Sequence, residues 1–160
     1  MAACQTYARR RLFEPAGMNS AVFEPDATGV LVGSSYLYAT ARDWARFGLL
    51  YLDGGVINGR RILSPSWVDY VRRPAPASAN AGYGGQFWLN GFSRSKPTQR
   101  WLPTLPEDTF FARGYNDQFV MIIPSRKVVI VRLGWTVGDA AFDIDKHFAE
   151  ILSAIPGPNP

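Results

Sequence analysis

The chain has a single cysteine, Cys4. That excludes an internal disulfide and any cysteine-based zinc site, and it leaves the compartment open. No apolar run approaches the ~20 residues a membrane-spanning helix needs. No signal-like apolar stretch follows Met1-Ala2-Ala3-Cys4-Gln5. No internal repeat is visible. Basic residues are not concentrated: the net charge is +4, and the densest run is Arg9-Arg10-Arg11. A run that short, with no binding motif around it, reads as the solvated face of a helix and excludes a nucleic-acid partner. No cofactor or metal is implied.

What remains is enough for one domain spanning 1–160, with a sizeable core rich in aromatic residues: five Trp, seven Tyr and ten Phe. Its first part, 1–75, reads as mostly helical. A helix is predicted over 2–13, ended by Pro15 and Gly17. Residues 14–35 read as loop. The strongest helix covers 41–53. Thr40 stands at its N-cap, and Asp43 stands three residues on, as in a capping box with Asp in place of Glu. Trp44, Phe47, Gly48, Tyr51 and Leu52 recur on one face. Asn58-Gly59 marks a turn within 56–61. Ser64-Pro65 opens another helix that ends before Pro74.

Residues 74–82 read as a link rich in Pro, Ala and Gly. The part from 83 to 155 then changes character. Strands are predicted over 83–89, 109–112, 119–123 and 128–133, with a long loop over 91–107. The last three form an antiparallel meander. Asp139 caps a final helix with Ile144, Phe148, Ile151, Leu152 and Ile155 on one face. The class is α+β: helices followed by an antiparallel β-meander and a C-terminal helix.

Two passages carry a resemblance. One is Gly33-Ser34-Ser35-Tyr36-Leu37-Tyr38-Ala39-Thr40-Ala41-Arg42-Asp43-Trp44, running on to Gly54-Gly55. The other is Phe111-Ala112-Arg113-Gly114-Tyr115-Asn116-Asp117-Gln118-Phe119-Val120. Together they resemble the C-terminal portion of the β-lactamase-like, penicillin-recognising serine hydrolases. That group includes class C β-lactamases, carboxypeptidases, esterases and 6-aminohexanoate-dimer hydrolases. The second passage has Gly-aromatic-x-x-Gln where β-lactamases carry Lys-Thr-Gly, and so is nearer the esterase and amide-hydrolase branch. The resemblance implies a partial β-lactamase/transpeptidase-like fold. It also implies a small amide, ester or peptide-like substrate attacked by a serine through an acyl-enzyme. Such proteins are often periplasmic or secreted.

That chemistry needs a serine in Ser-x-x-Lys at a helix start, with the lysine one turn on to take its proton, and a Tyr-x-Asn element. The only Ser-x-x-Lys here is Ser93-Arg94-Ser95-Lys96. It precedes Pro97 in the predicted loop and falls in the wrong order for the family, so it reads as coincidence. No Tyr-x-Asn occurs, and Ser78-Ala79-Asn80 lies in the link. No credible nucleophile is therefore expected in this chain. The resemblance carries over a substrate wall instead. Gly114 admits close approach, or forms a bulge. Tyr115 is a possible assisting residue at the reacting carbonyl. Asn116 contacts substrate amides or serves only the turn, Gln118 braces the strand, and Arg113 attracts an acidic group or solvates the edge. Ser34 and Tyr36 border the pocket, with packing as the alternative role for Tyr36. Asp117 departs from the family's usual Gly and is expected to disturb a tight turn. His147 has no Ser or Asp partner at motif spacing.

Two readings follow. In one, the chain is part of a serine hydrolase, inactive alone until an N-terminal segment of the same fold completes the cleft. In the other, it is a degenerate, non-catalytic relative that binds a peptide-like ligand or a protein partner. Either way, an open strand edge favours self-association.

Overall fold

A computed structural model describes residues 2–76, 78, 82–93, 96–137 and 142–157. The elements, in order, are helix α1 (Ala2–Ala8), a π-helical stretch (Arg9–Phe13), α2 (Glu14–Ala16), β1 (Val22–Phe23), β2 (Leu37–Tyr38), α3 (Ala41–Leu52), β3 (Val56–Ile57), β4 (Arg60–Arg61), α4 (Pro65–Val71), β5 (Trp88–Leu89), β6 (Phe92–Ser93), β7 (Lys96–Arg100), β8 (Phe110–Gly114), β9 (Gln118–Ile123), β10 (Val128–Arg132) and α5 (Ile144–Ser153).

The four-stranded antiparallel sheet has the order β10-β9-β8-β5. β9 pairs with β10 from Ile123↔Val128 to Phe119↔Arg132. β8 pairs with β9 from Phe110↔Ile122 to Gly114↔Gln118. Successive side chains on a strand point to opposite faces. Phe111, Phe119, Met121 and Ile123 therefore pack on one side with Phe148 and Leu152 of α5. Phe110 and Ile122 pack on the other with Tyr51 of α3 and Val68 and Val71 of α4. Both faces are covered, which is why β9 is apolar at every position after Gln118. A third cluster joins Phe13, Ala16 and Met18 to Leu50 of α3. Burying one such Phe or Leu contributes ~2–3 kcal/mol relative to leaving it in water.

α3 lies close against the sheet because Gly48 has no side chain. A Cβ there would stand 2.5 Å from Val129 Cγ1 and 3.1 Å from Val120 Cγ1. Thr40 caps the helix as expected, its hydroxyl accepting from Asp43 N at 3.3 Å. The reciprocal half of the capping box is absent. The Asp43 carboxylate is buried and accepts from Ser20 Oγ at 2.6 Å, Ser20 N at 2.7 Å and Arg46 Nη1 at 2.7 Å. Burial pushes this carboxyl's pKa upward, but the bonds from Ser20 and then Arg46 outweigh it and hold the group below its ordinary value.

Asn90 is a second buried polar joint. Its amide donates to the carbonyls of Leu102 (2.9 Å), Leu105 (3.3 Å) and Pro106 (3.0 Å), and its Oδ1 accepts from Leu102 N at 2.9 Å. It holds the irregular segment before β8 in place, with the buried Leu102 and Leu105 carried on it.

The fold corrects several expectations. The first helix does not stop at Pro15. The chain widens to a π-turn over Arg9–Phe13, where Glu14 N reaches Arg9 O. That shift accommodates a proline that has no N–H to give, and the helix runs on to Ala16. It ends at Gly17, at φ +71°. The stretch 14–35 is not all loop, since Val22 and Phe23 pair with Tyr38 and Leu37. The predicted strand over 83–89 shrinks to Trp88–Leu89, and Tyr83 makes only an isolated bridge to Trp88. The predicted loop over 91–107 contains the β6–β7 hairpin. Asp143, not Asp139, caps α5, accepting from Lys146 N at 3.0 Å; Asp139 lies outside the described residues. Ile151 faces solvent, because the face of α5 that meets the sheet is narrower than its apolar stripe. No helix among the described residues is long and apolar enough to cross a membrane.

Candidate functional site

The candidate residues gather mainly on one structure, the turn between β8 and β9. Gly114↔Gln118 is its last strand pair, and Tyr115, Asn116 and Asp117 form the connection. Asn116 and Asp117 take φ of +55° and +60°, a left-handed conformation that Asn and Asp tolerate better than most residues. The Gln118 amide donates to Tyr115 O at 3.1 Å, so Gln118 braces the turn it follows. Gly114 keeps regular register with Gln118, and a Cβ there would meet Gln118 only at ordinary contact distance, 3.4 Å.

Asp117 is accommodated in the turn at a left-handed φ that glycine takes more easily. Its Oδ1 accepts from Arg113 Nη2 at 2.6 Å, closing an ion pair across the hairpin. The Arg113 guanidinium also lies 5.7 Å over the Phe119 ring. Arg113 is thus already paired with a carboxylate, which in an exposed setting contributes ~0.2–1 kcal/mol.

A second segment is tied to this turn, and sequence reasoning missed it. Arg132, at the end of β10, donates through Nη1 to Asp117 O and through Nη2 to Thr136 Oγ1 at 3.0 Å. Thr136 N donates to Asn116 O at 3.1 Å. Gly134 makes room for the returning guanidinium, since a Cβ there would stand 2.2 Å from Arg132 Cζ. These bonds bring Trp135 edge-on to Tyr115, with ring centroids 6.2 Å apart. The available signal was a tryptophan just past a strand end, after a glycine, in no apolar period.

The other candidates lie elsewhere. Ser34 and Tyr36 border the separate β1–β2 pair. Tyr36 has φ +64°, and its carbonyl accepts from Glu24 N at 3.0 Å. No hydrogen bond or ring contact among the described residues joins them to the Tyr115 turn. Ser93 and Lys96 are backbone register partners on the β6–β7 hairpin, not one turn apart on a helix. Asn80 lies outside the described residues. The exposed His147 sets its Nδ1 2.8 Å from Asp143 O on its own helix.

A cleft of about 630 Å³ lies beside the sheet, walled by Tyr70, Tyr83, Gln86 and Trp88. Gly84 and Gly85 press the chain against the end of α4. A Cβ on Gly84 would be 2.3 Å from Val71 O. Gln86 then takes φ +69° in the cleft wall. β5 pairs with β8 only at Trp88↔Phe111 and Leu89↔Phe110. From Ala112 to Gly114, the outer edge of β8 has no strand partner among the described residues.

The family model described as Beta-lactamase matches residues 3–153. The chain belongs to the beta-lactamase family. Among curated members, the 6-aminohexanoate-dimer hydrolase of Paenarthrobacter ureafaciens is 32% identical over 109 residues, covering 68% of this chain and 27% of that protein. Among solved structures, a "putative 6-aminohexanoate-dimer hydrolase" from Bacillus anthracis superposes with a TM-score of 0.63 at 27% identity, over 90% of this chain and 35% of that one. A "putative beta-lactamase" from Bacteroides dorei shares the fold, with a TM-score of 0.57 at 18% identity, over 84% of this chain and 45% of that one. The chain therefore spans between about a quarter and a half of the length of these relatives. The mixed helix and antiparallel-sheet architecture is the family's.

Proposed function

We propose that this chain forms the substrate-aligning wall of a serine hydrolase acting on amide or ester bonds through an acyl-enzyme, and that the nucleophile comes from polypeptide outside these 160 residues. The observation that carries this reading is the outer edge of β8 at Ala112–Gly114, which has no strand partner among the described residues and runs into the exposed Tyr115 turn, while Trp88, paired with Phe111 of the same strand, walls an aromatic cleft. An open strand edge offers backbone N–H and C=O groups at fixed spacing. An extended amide can pair with it as an added strand, which sets its carbonyl in register for attack. Backbone donors of that kind are what an acyl-transfer transition state requires as charge develops on oxygen. Tyr115, at the end of this edge, would hydrogen-bond the reacting carbonyl or the leaving group. Similarity to 6-aminohexanoate-dimer hydrolases supports an amide as substrate.

The chain's own Ser-x-x-Lys does not supply the nucleophile in this reading. In the Ser-x-x-Lys motif the serine opens a helix and the lysine stands one turn on, whereas Ser93 and Lys96 are register partners on a two-stranded hairpin. Nitrophenyl acetate turnover tests the proposal. The chain alone should show no turnover above background. The chain mixed with or fused to a beta-lactamase-family segment bearing Ser-x-x-Lys on a helix should show it. A fluorophosphonate should label no serine in the chain alone. Adduct formation at Ser93 would overturn the assignment. Inactivity of both samples would favour a non-catalytic, ligand-binding role.

A further inference from the structure

Asn116 and Asp117 are consecutive non-glycine residues at positive φ, +55° and +60°. That conformation costs backbone energy even for Asn and Asp, and it persists where the surroundings hold it. Both carbonyls of the pair accept hydrogen bonds from one segment, 132–136. Arg132 Nη1 donates to Asp117 O, and Thr136 N donates to Asn116 O at 3.1 Å. Arg132 Nη2 also donates to Thr136 Oγ1 at 3.0 Å, so the guanidinium is one donor and fixes the residue that supplies the other. Its third support is the Phe142 ring, 4.0 Å from Cζ, and that ring packs on Phe119 and Phe148 of the core. One planar fork thus joins the turn, the segment after β10 and the aromatic cluster under the sheet. Arg113, by contrast, grips the Asp117 carboxylate rather than the backbone. The chain leaves room for the Arg132 fork at one place. A Cβ on Gly134 would stand 2.2 Å from Arg132 Cζ and 2.4 Å from Nη1 and Nη2. Gly134 does not take the left-handed φ that would itself call for glycine, so the space for the guanidinium is what its missing side chain provides.

We propose that Arg132 is a positioning residue. It holds Asn116 and Asp117 in the left-handed region and so sets the direction in which Tyr115 leaves the end of β8, with Gly134 supplying the space. The inference rests on the reading of the Tyr115 turn as part of a substrate wall, and it adds the residue that gives that wall its shape. Arg132 acts through backbone oxygens and not on substrate. Its loss should therefore be felt in turnover more than in binding, since displacing a group by about 1 Å from the reacting atoms costs up to roughly 100-fold in rate. Lysine is no substitute. Its ammonium has no planar fork to span both oxygens while lying flat on a ring.

Two readouts test it. In the 160-residue chain, labelled with 15N, hydrogen exchange at the Thr136 amide should quicken about tenfold or more in Arg132→Ala and in Arg132→Lys. Gly134→Ala should do the same with the arginine still present, because the added methyl displaces the flexible guanidinium. The Val120 and Met121 amides of β9 report folding and should stay protected in all three. Should Arg132→Ala lose that protection, Gly134→Ala is read in its place. A folded variant whose Thr136 amide exchanges as slowly as the parent's overturns the proposal. In the chain complemented with a Ser-x-x-Lys segment, kcat on nitrophenyl acetate should fall roughly 10- to 100-fold in Arg132→Ala and Gly134→Ala, with KM within about threefold of the parent. Faster Thr136 exchange with kcat unchanged would overturn the positioning role and leave the hydrolase reading standing. Faster exchange with no turnover in the complemented parent would sink the hydrolase reading and leave the hold on the turn in place.

Discussion

The β8–β9 and β6–β7 hairpins both carry residues that attract a chemical reading, and they are built on different foundations. The β8–β9 hairpin belongs to the four-stranded sheet. Phe111 and Phe119 at its base are buried against α5, and its turn is held from both sides by Arg113 and Arg132. The β6–β7 hairpin is a two-stranded satellite with a register irregularity between Phe92 and Ser93. A site must keep its groups within a fraction of an ångström of the productive geometry, and rigid, packed elements do that better than satellites. The comparison teaches that spelling is a weak guide to chemistry unless the element under it can hold the geometry. Ser93-Arg94-Ser95-Lys96 has the letters of a nucleophile motif without the helix. Gly114 to Gln118 has unremarkable letters on a firm base.

The largest expected effect comes from removing that base. Phe119→Ala should lower unfolding free energy by about 4 kcal/mol in urea titrations, since the ring is fully enclosed and the cavity can collapse only partly. A loss below 1 kcal/mol would show that the hairpin is less firmly founded than the comparison holds.

Next is Asp43, which fixes the entry to α3 and so the helix that backs the sheet. Asp43→Asn should cost ~2 kcal/mol at neutral pH, where the ionised group accepts from Ser20 and Arg46. Its pKa is lowered in the folded state. Its contribution is therefore fully present above the ordinary carboxylate value, about 4, and fades as pH falls through the lower folded value. The gap between parent and variant should narrow from pH 7 to pH 3. An unchanged gap would mean that the charge is not what matters.

A smaller effect is expected at the turn itself. At φ +60° glycine is the easier residue, so Asp117→Gly relieves about 1 kcal/mol of backbone strain while losing an exposed ion pair of similar size. Net stability should change by less than ~0.5 kcal/mol. Asp117→Val, which cannot adopt that φ easily, should lose more than 1 kcal/mol in thermal or urea unfolding. Smallest of all, Ser93→Ala should shift stability by no more than ~0.5 kcal/mol in the same unfolding measurement.

How far these features were legible follows from where each signal is encoded. Local chemistry was readable. Thr40, Ser64 and Asn58-Gly59 marked two helix starts and a turn because capping and turn formation involve only neighbouring residues. The meander was readable because β8, β9 and β10 are short apolar runs between turn residues. The π-turn before Pro15 was not, because it is a register adjustment inside a continuing helix. The β6–β7 hairpin was hidden by its polar composition, Lys96–Arg100 having no apolar alternation. At the site, the β8–β9 turn could be singled out from its letters. Trp135 could not, since only the long-range bonds from Arg132 and Thr136 bring it to Tyr115. The pairing of Arg113 with Asp117 was likewise invisible until the turn's geometry set the two side chains together.

Asn90 has a consequence for how the protein ages. It is followed by Gly91, the neighbour that most favours hydrolytic loss of an asparagine amide. Conversion to aspartate would replace an NH2 that faces the carbonyls of Leu102, Leu105 and Pro106 with an oxygen, setting a negative atom against three others. One atom's exchange would thus loosen the segment that carries Leu102 and Leu105 under the sheet. The network that holds Asn90 in place also restrains the backbone motion this reaction needs, so the joint protects the bond on which its own durability depends.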